Sequence, residues 1–304
     1  MDGFSDIAFF SVVVKQGSLA AAAQQLGVTP PAVSKRLAAL ERRLGVRLLL
    51  RTTRRISLTA EGETYLVDGA RVLEELQALE RTVAGSRAVP KGLMRVCATL
   101  GFGRRHLAPA LSAFARQCPE VDLQLHLTDL PVNLVEQGFD LQLRFGDLPD
   151  ARLTARLLAR NQRVLCASPA YLQRAGMPAS PRELAQHACL FIRESDETFG
   201  SWHLRNGSKL ETVKVRGPLA SNDGECVLGW ALDDHGILMR SLWEAAPLLR
   251  TGQLQRVLPD WRLPSADIHA VFPARDHLSA KTRALVDFLL RTFEPHRATE
   301  DGAW

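Results

Sequence analysis

Apolar positions in the first sixty residues fall into short helical faces separated by turn residues. Phe4, Ile7, Ala8, Phe10, Val12 and Val14 predict a helix that runs to about Lys15 and ends at Gly17. Ser18 is a good N-cap for a second helix, Leu19 to Leu26. Ala20 to Ala23 are small enough to let another helix approach closely. Gly27-Val28 makes a tight turn. Thr29 caps a third helix, with Pro30 or Pro31 in its first turn, where a missing N–H costs nothing. Val33, Leu37, Leu40 and Leu44 then mark one buried face, and Gly45 closes it.

Two short helices around a glycine turn predict a helix-turn-helix. Pro30, Pro31, Ser34, Lys35 and Arg36 occupy the first turns of its second helix, off the apolar stripe. That end enters a major groove in such motifs, and its free N–H groups also suit phosphate. Val46 to Thr59 reads as a hairpin, or wing, around Thr52-Thr53-Arg54-Arg55, with Arg51, Arg54 and Arg55 toward the DNA backbone or minor groove. Taken singly, each arginine reads as an ordinary solvated side chain. Taken with the preceding helix, they read as DNA contacts.

A further helix begins at Thr59 or Glu61 and runs to about Arg87. Leu66, Leu73, Leu76 and Val83 lie near heptad spacing, interrupted at Gly69 and Glu80. Gly85, Ser86 and Pro90-Lys91-Gly92 read as a hinge. From Leu93 the pattern alternates. Strands are expected at Leu93–Thr99, Val121–Thr128, Leu141–Phe145, Arg163–Ser168, Ala188–Arg193 and Asp267–Phe272. Helices are expected at Arg104–Gln117, Val132–Gln137, near Ala170 and Pro181, at Cys226–Leu232 and at Ser279–Phe293. Such alternation predicts two α/β lobes with mainly parallel sheets, the chain crossing between them near residues 161 and 266. The domains are then a winged helix-turn-helix over 1–59, a linker helix and hinge over 60–89, and a two-lobed domain over 90–304. The first lobe takes about 90–161 and 267–304, the second about 162–266.

Charge sharpens this division. Residues 1–62 carry nine Lys/Arg against four acids, a surplus equal to the net charge of +5 on all 304 residues. The rest of the chain is neutral, so a basic segment sits on a neutral body, the footprint of a nucleic-acid-binding module. Hydrophobic residues make up 46% and charged residues 23%, a soluble globular balance without a membrane span. Asp2 and Asp6 stand where a secretory signal would be basic then apolar, so the expected compartment is the cytoplasm. Cys97, Cys118, Cys166, Cys189 and Cys226 are scattered without a Cys-x-x-Cys pair and fit a reducing environment.

The run SLAAAAQQLGVTPPAVSKRLAALERRLGVRLLLRTTRRISLTAEG, Ser18 to Gly62, resembles the DNA-binding segment of LysR-type transcriptional regulators. The resemblance continues through GFGRRHLAPALSAF, DLQLRFGDLPD, CASPAYLQRAGMPASPREL and GQLQRVLPDW, so it spans nearly the whole chain. It implies DNA contacts by Ser18, Pro30, Pro31, Ser34, Lys35 and Arg36 on the helices and by Arg51, Thr53 and Arg54 on the wing. Many relatives carry glutamine where this chain has Pro30. Proline cannot make a bidentate contact to adenine, so Ser34, Lys35 and Arg36 must carry more of the base reading. The resemblance further implies an antiparallel linker-helix dimer, a tetramer, double-stranded promoter DNA and RNA polymerase as partners, and lobes like those of periplasmic solute-binding proteins. The subgroup includes regulators that respond to hydroxy-dicarboxylates such as malate or tartrate.

An effector in such lobes sits at strand carboxyl ends and helix N-termini. Thr99 to Gly103, hence Thr99, Leu100, Gly101 and Phe102, form one candidate wall. Thr128 forms a second, and Asn222 and Asp223 a third, with Arg144, Arg193 and Phe272 nearby. Thr99, Thr128 and Asn222 serve equally well as caps or turn residues. Arg144 and Arg193, each alone, read first as structural ion pairs. If both face the cleft, the effector is an anion, which would fit a carboxylate. Two rival readings are an enzyme and a transport binding protein. No Gly-x-Ser-x-Gly elbow or Walker loop is present, and Gly101-Phe102-Gly103 lacks a third glycine. The eight histidines show no metal-ligand spacing, and Asp233-Asp234-His235 reads as a solvated helix end. The expectation is therefore a non-enzymatic regulator without metal or other cofactor. The basic N-terminal module argues against a transport protein.

Overall fold

The chain is described by a computed structural model covering residues 3–51, 56–83, 89–146, 153–192, 200–274, 278–299 and 304. It divides into two units, 1–92 and 93–304.

In the first unit the turn chemistry sets the helix ends. α1 is Gly3–Gln16, α2 is Leu19–Leu26 and α3 is Pro30–Leu44. The Ser18 hydroxyl accepts from the Ala21 N–H at 3.1 Å and caps α2. Gly27 (φ 67°) and Gly45 (φ 74°) end α2 and α3 in the left-handed region that favours glycine. The apolar face of α3 packs as the spacing requires. Val33, Leu37 and Leu40 join Phe9, Phe10, Val13, Ala22 and Ala23 in one core. Strands β1, Leu49–Arg51, and β2, Ile56–Leu58, pair antiparallel, Leu49 opposite Leu58. Glu41 Oε1 accepts from the Leu48 and Leu49 N–H groups at 2.9 and 3.3 Å, so α3 holds the base of the hairpin.

α4, Ala60–Val83, follows without a break. The Thr59 hydroxyl donates to the Arg47 carbonyl at 2.7 Å and accepts from the Gly62 N–H at 2.9 Å. A Cβ on Gly62 would lie 2.0 Å from the Leu48 carbonyl oxygen, so only glycine fits there. Gly69, which breaks the heptad, packs against Ile7 of α1. Val67 and Val72 on this helix remain exposed.

The second unit holds two five-stranded sheets. The first has the order β4-β3-β5-β14-β6, from Val121–Leu127, Gly92–Ala98, Leu141–Phe145, Ile268–Pro273 and Leu153–Ala159. The second has the order β11-β8-β12-β7-β13, from Ala220–Ser221, Cys189–Ile192, Ile237–Ser241, Arg163–Ala167 and Gln255–Val257. A hairpin of β9, Gly200–Asn206, and β10, Lys209–Val215, stands beside the second sheet.

The sheets are mixed, which corrects the expectation of mainly parallel ones. β3–β5, β8–β11 and β8–β12 are parallel, whereas β14–β5, β14–β6, β12–β7 and β13–β7 are antiparallel. The chain leaves the first lobe along β6 and re-enters along β14, so these two run oppositely and pair over their length. Asn161, fully buried, clips the two crossings together. Its amide donates to the Ala266 carbonyl at 3.0 Å and to the Ser241 hydroxyl at 3.1 Å, and its N–H donates to Asp267 at 2.9 Å.

The first lobe's core gathers Met94, Val96, Phe114, Leu141, Leu143, Ile268 and Leu285. In the second lobe strand alternation feeds two cores. Leu165, Cys189 and Ile237 face one side, and their neighbours Cys166, Leu190 and Leu238 face the other.

The helix expected to start at Arg104 begins earlier. α5, Leu100–Phe102, leads into a π-helical turn, Gly103–Leu107, and then α6, Ala108–Gln117. A Cβ on Gly103 would lie 2.2 Å from Leu127 Cδ2, so glycine lets this turn press onto the sheet. Val132–Gln137 forms turns rather than a helix. Leu134 is buried, and Gly138 (φ 68°) reverses the chain before a second helical turn can form. The later helices are α7, Pro169–Ala175; a 3-10 turn, Pro181–Gln186; α8, Gly224–Leu232; α9, Leu242–Arg250; α10, Ala280–Thr292; and α11, Glu294–Ala298.

Candidate functional site

The first unit presents the start of α3 to solvent. Pro30, Pro31, Ala32 and Lys35 are exposed and Ser34 is half-buried. Thr29 precedes them in extended conformation without a side-chain cap bond, Pro30 and Pro31 bring no N–H, and the Ala32 and Val33 N–H groups donate to the Thr29 carbonyl at 3.0 and 3.2 Å, so the helix start offers its exposed side chains rather than free N–H groups. Arg36 is committed elsewhere. Its guanidinium donates to the Ser5 carbonyl at 2.9 Å and hydroxyl at 2.6 Å, pairs with Asp6 at 3.3 Å and lies 4.5 Å from the Phe9 ring centre. Arg43 reaches the same carboxylate at 3.1 Å. Arg36 thus braces α3 against α1, and of the side chains expected to read bases Ser34 and Lys35 remain. Ser18 is used as a helix cap. Arg51 ends β1, and Thr53 and Arg54 lie outside the described residues.

In the second unit a cleft of about 740 Å³ opens between the lobes. Thr99, Gly101, Phe102, Asp129 and Phe145 line it from the first lobe, and Arg163, Ser201, Trp202, Arg240, Ser241 and Trp243 from the second. Thr99 stands at the head of α5 with no side-chain cap bond. The Leu100 N–H donates to Asp129 at 3.0 Å. Arg240, near the end of β12, is buried and pairs with fully buried Glu244, four residues on in the first turn of α9. Gly224 and Gly101 let the backbone close around this group. A Cβ on Gly224 would lie 2.1 Å from Arg240 Nη1, and one on Gly101 3.1 Å from the Trp243 ring. The charged groups of the lining are thus Arg163, Arg240 and Asp129, with Arg240 held by Glu244 behind it.

Of the residues expected here, Thr99, Gly101 and Phe102 line the cleft. Phe102 is also core, with its ring against His106, Phe145, Trp243 and Phe293. Leu100 and Asn222 do not line the cleft. Thr128 makes a turn, its hydroxyl accepting from the Leu130 N–H at 3.1 Å. Asp223 caps α8, accepting from the Glu225 and Cys226 N–H groups at 2.7 and 3.3 Å. Arg144 falls between Leu143 and Phe145 on β5, and strand alternation gives the wall position to Phe145. Phe272 is in the first lobe's core and borders a separate groove with Thr154, Leu157 and Arg283. Arg193 lies outside the described residues. Arg240, Trp243 and Trp202 were not foreseen. Arg240 and Glu244 carried one sequence signal, an oppositely charged i, i+4 pair in an otherwise apolar stretch.

Burial raises the Cys97 thiol to about 11 and those of Cys166 and Cys189 to about 12, so none is a ready nucleophile. Burial, then His296 and Arg105, lowers His106 to about 4 and keeps it neutral at pH 7. Among the described residues no group of His, Cys, Asp and Glu is arranged to hold a metal ion, and no helix is long and apolar enough to cross a membrane.

Residues 4–63 match the bacterial regulatory helix-turn-helix family of lysR type, and residues 87–294 match the LysR substrate binding domain. The chain belongs to the LysR family of transcriptional regulators. Among LysR-type relatives, it is 42% identical to the HTH-type transcriptional regulator DmlR of Escherichia coli K12 over 96% of this chain and 95% of that one. It is 41% identical to the activator TtdR of the same strain, over 93% and 91% of the two chains. LysR-type structures of full length superpose as well. AphB of Vibrio cholerae gives a TM-score of 0.59 at 27% identity, covering 96% of this chain and 99% of that one. CrgA of Neisseria meningitidis gives 0.59 at 30% identity, covering 94% and 97%. The chain is thus a LysR-type regulator with a helix-turn-helix DNA-binding domain and a two-lobed domain for a small-molecule effector.

Proposed function

We propose that this regulator is controlled by a small carboxylate bound between its lobes, with Arg240 as principal anion contact. Thr99, Ser201 and Ser241 supply hydroxyls around it, and Phe102, Trp202 and Trp243 close the walls. The observation that carries this reading is the buried Arg240 guanidinium lining the cleft wall. A cation on the wall of an open cavity suits an oxygen anion. The resemblance to regulators responding to malate or tartrate supplies the first compounds to try.

On the DNA side, the exposed first turns of α3, with Pro30, Pro31, Ser34 and Lys35, enter the major groove, and Arg51, Thr53 and Arg54 follow the backbone. Ser18 and Arg36 position α2 and α3. Domains over 1–59, 60–89 and 90–304 divide these tasks. Exposed Val67 and Val72 on α4 fit a linker pairing between two copies, and a tetramer would place two such pairs on one promoter. RNA polymerase is the expected further partner, the compartment is the cytoplasm, and no turnover is expected.

Calorimetric titration of the purified chain with malate, tartrate and uncharged tetritols tests the cleft. Saturable heat from a dicarboxylate, lost in Arg240→Ala, is expected. Equal binding by the Arg240→Ala protein would refute it.

A further inference from the structure

A line of alternating charges runs from the cleft to the outer surface, crossing between the lobes. Arg240 pairs with Glu244, both in the second lobe. On the other side Arg105, from the first lobe's π-helical turn, reaches Glu244 Oε1 at 3.4 Å. Arg105 and Arg104 both meet Glu225, and Arg104 lies 3.7 Å from Asp223. The pairs at Glu225 and Asp223 are solvated on both sides, and such pairs contribute little and are screened by salt. Glu244 differs, because its side chain is 0% exposed. A charge there acts through a low effective dielectric, so its partition between two cations matters most.

The two oxygens of Glu244 are divided. Oε2 takes the Nε and Nη2 groups of Arg240. Oε1 meets Arg105 at ion-pair distance but makes no aligned hydrogen bond. Arg240 itself is confined, its guanidinium against Gly224 and 6.0 Å from the Trp243 ring centre. It therefore answers a cleft anion by sharing its charge rather than by swinging away.

We infer that Glu244 is a positioning residue that couples the cleft to the lobe contact, because Arg240 and Arg105 compete for its one negative charge. This rests on the reading of the cleft as an anion site. An anion that takes up Arg240's charge leaves more of Glu244's field for Arg105, and the π-helical turn is drawn onto α9. By linkage, a lobe arrangement that withdraws Arg105 leaves Glu244 to Arg240 alone and weakens the anion by the same factor. The π-helical turn suits this role, since its backbone carries the wider i→i+5 pairing, as from the Ala108 N–H to the Gly103 carbonyl, in place of the tighter α-helical ladder.

The competition gives a sign that a merely structural ion pair would not. Arg240→Met removes one competitor without any ligand. Amide hydrogen exchange of the full chain should then slow by about threefold or more over Gly103–Leu107. Arg105→Met, which removes the other, should speed exchange there. Faster or unchanged exchange in Arg240→Met would overturn the inference. Should that variant not fold, Glu244→Gln serves instead. It keeps the shape, should speed exchange over Gly103–Leu107, and should tighten tartrate binding several-fold by releasing Arg240. Weaker tartrate binding in Glu244→Gln, or unchanged exchange, would equally overturn it. If tartrate and malate fail to bind the unaltered chain while the exchange signs hold, the carboxylate reading fails and the coupling stands.

Discussion

Asp6 offers a test of how α3 is aimed. Its carboxylate is 4% exposed and holds Arg36 at 3.3 Å and Arg43 at 3.1 Å, tying two turns of α3 to the start of α1. Asp6→Asn keeps the volume and removes the charge. At an effective dielectric near 20, each contact is worth up to about 4 kcal/mol before desolvation. The arginines are 33% and 46% exposed, so water recovers much of this on both sides of the balance. Exposed pairs are worth about 0.2–1 kcal/mol, and breaking fully buried ones costs about 3–5. An intermediate loss of about 1–2 kcal/mol follows, which in a unit of this size lowers Tm by roughly 4–16 °C. Calorimetry of the full chain should show that change in the transition of the first unit. The same substitution frees Arg36 and deletes an anion from the DNA-binding face. Affinity for scrambled DNA should rise, and the slope of log affinity against log salt should steepen by about 0.9, one added phosphate contact. An unchanged slope together with an unchanged transition would refute the assignment of Arg36 as a brace.

Lys35→Ala should weaken binding to the upstream DNA more than to scrambled DNA and so relax the preference between them, read by gel shift at several salt concentrations. The depressed His106 makes stability depend on pH in a defined window. Unfolded chains bind this proton near 6.5 and the folded chain only near 4, so stability should fall as pH drops from 6.5 toward 4. His106→Phe should flatten that part of the profile in urea titrations. Gly217→Ala places a Cβ 2.0 Å from the Cys189 carbonyl, and the contact is backbone. Its urea midpoint should fall well below that of the half-buried control Gly229→Ala, whose Cβ meets nothing within 4 Å.

Local signals made the first unit readable. Ser18, Gly27, Thr29 and Gly45 each fix a helix end within a few residues, and Val33, Leu37 and Leu40 point one way whatever surrounds them. Arg36 escaped because its partner, Asp6, stands thirty residues earlier on another helix. The second unit was legible as alternating elements but not in its sheet directions. β6 and β14 pair across more than a hundred residues, and no periodicity encodes that. The same limit governs the cleft. Thr99, Gly101 and Phe102 were accessible because strand-to-helix turns mark themselves by type. Arg144 missed the wall by a single position, since a one-residue step on a strand changes the face. Arg240 becomes a site residue only through Gly224, Trp243 and Arg105, all brought to it by tertiary structure.

On the proposed function, one chain reads DNA and a small anion together. The most direct test is binding of the full chain to the DNA upstream of its own gene, against scrambled DNA, at two salt concentrations, with and without tartrate or malate. Tighter binding to the upstream DNA, weakening steeply with salt and altered by one dicarboxylate in affinity or protected length, is expected. Equal affinity for both DNAs at either salt, unaffected by any dicarboxylate, would contradict that function.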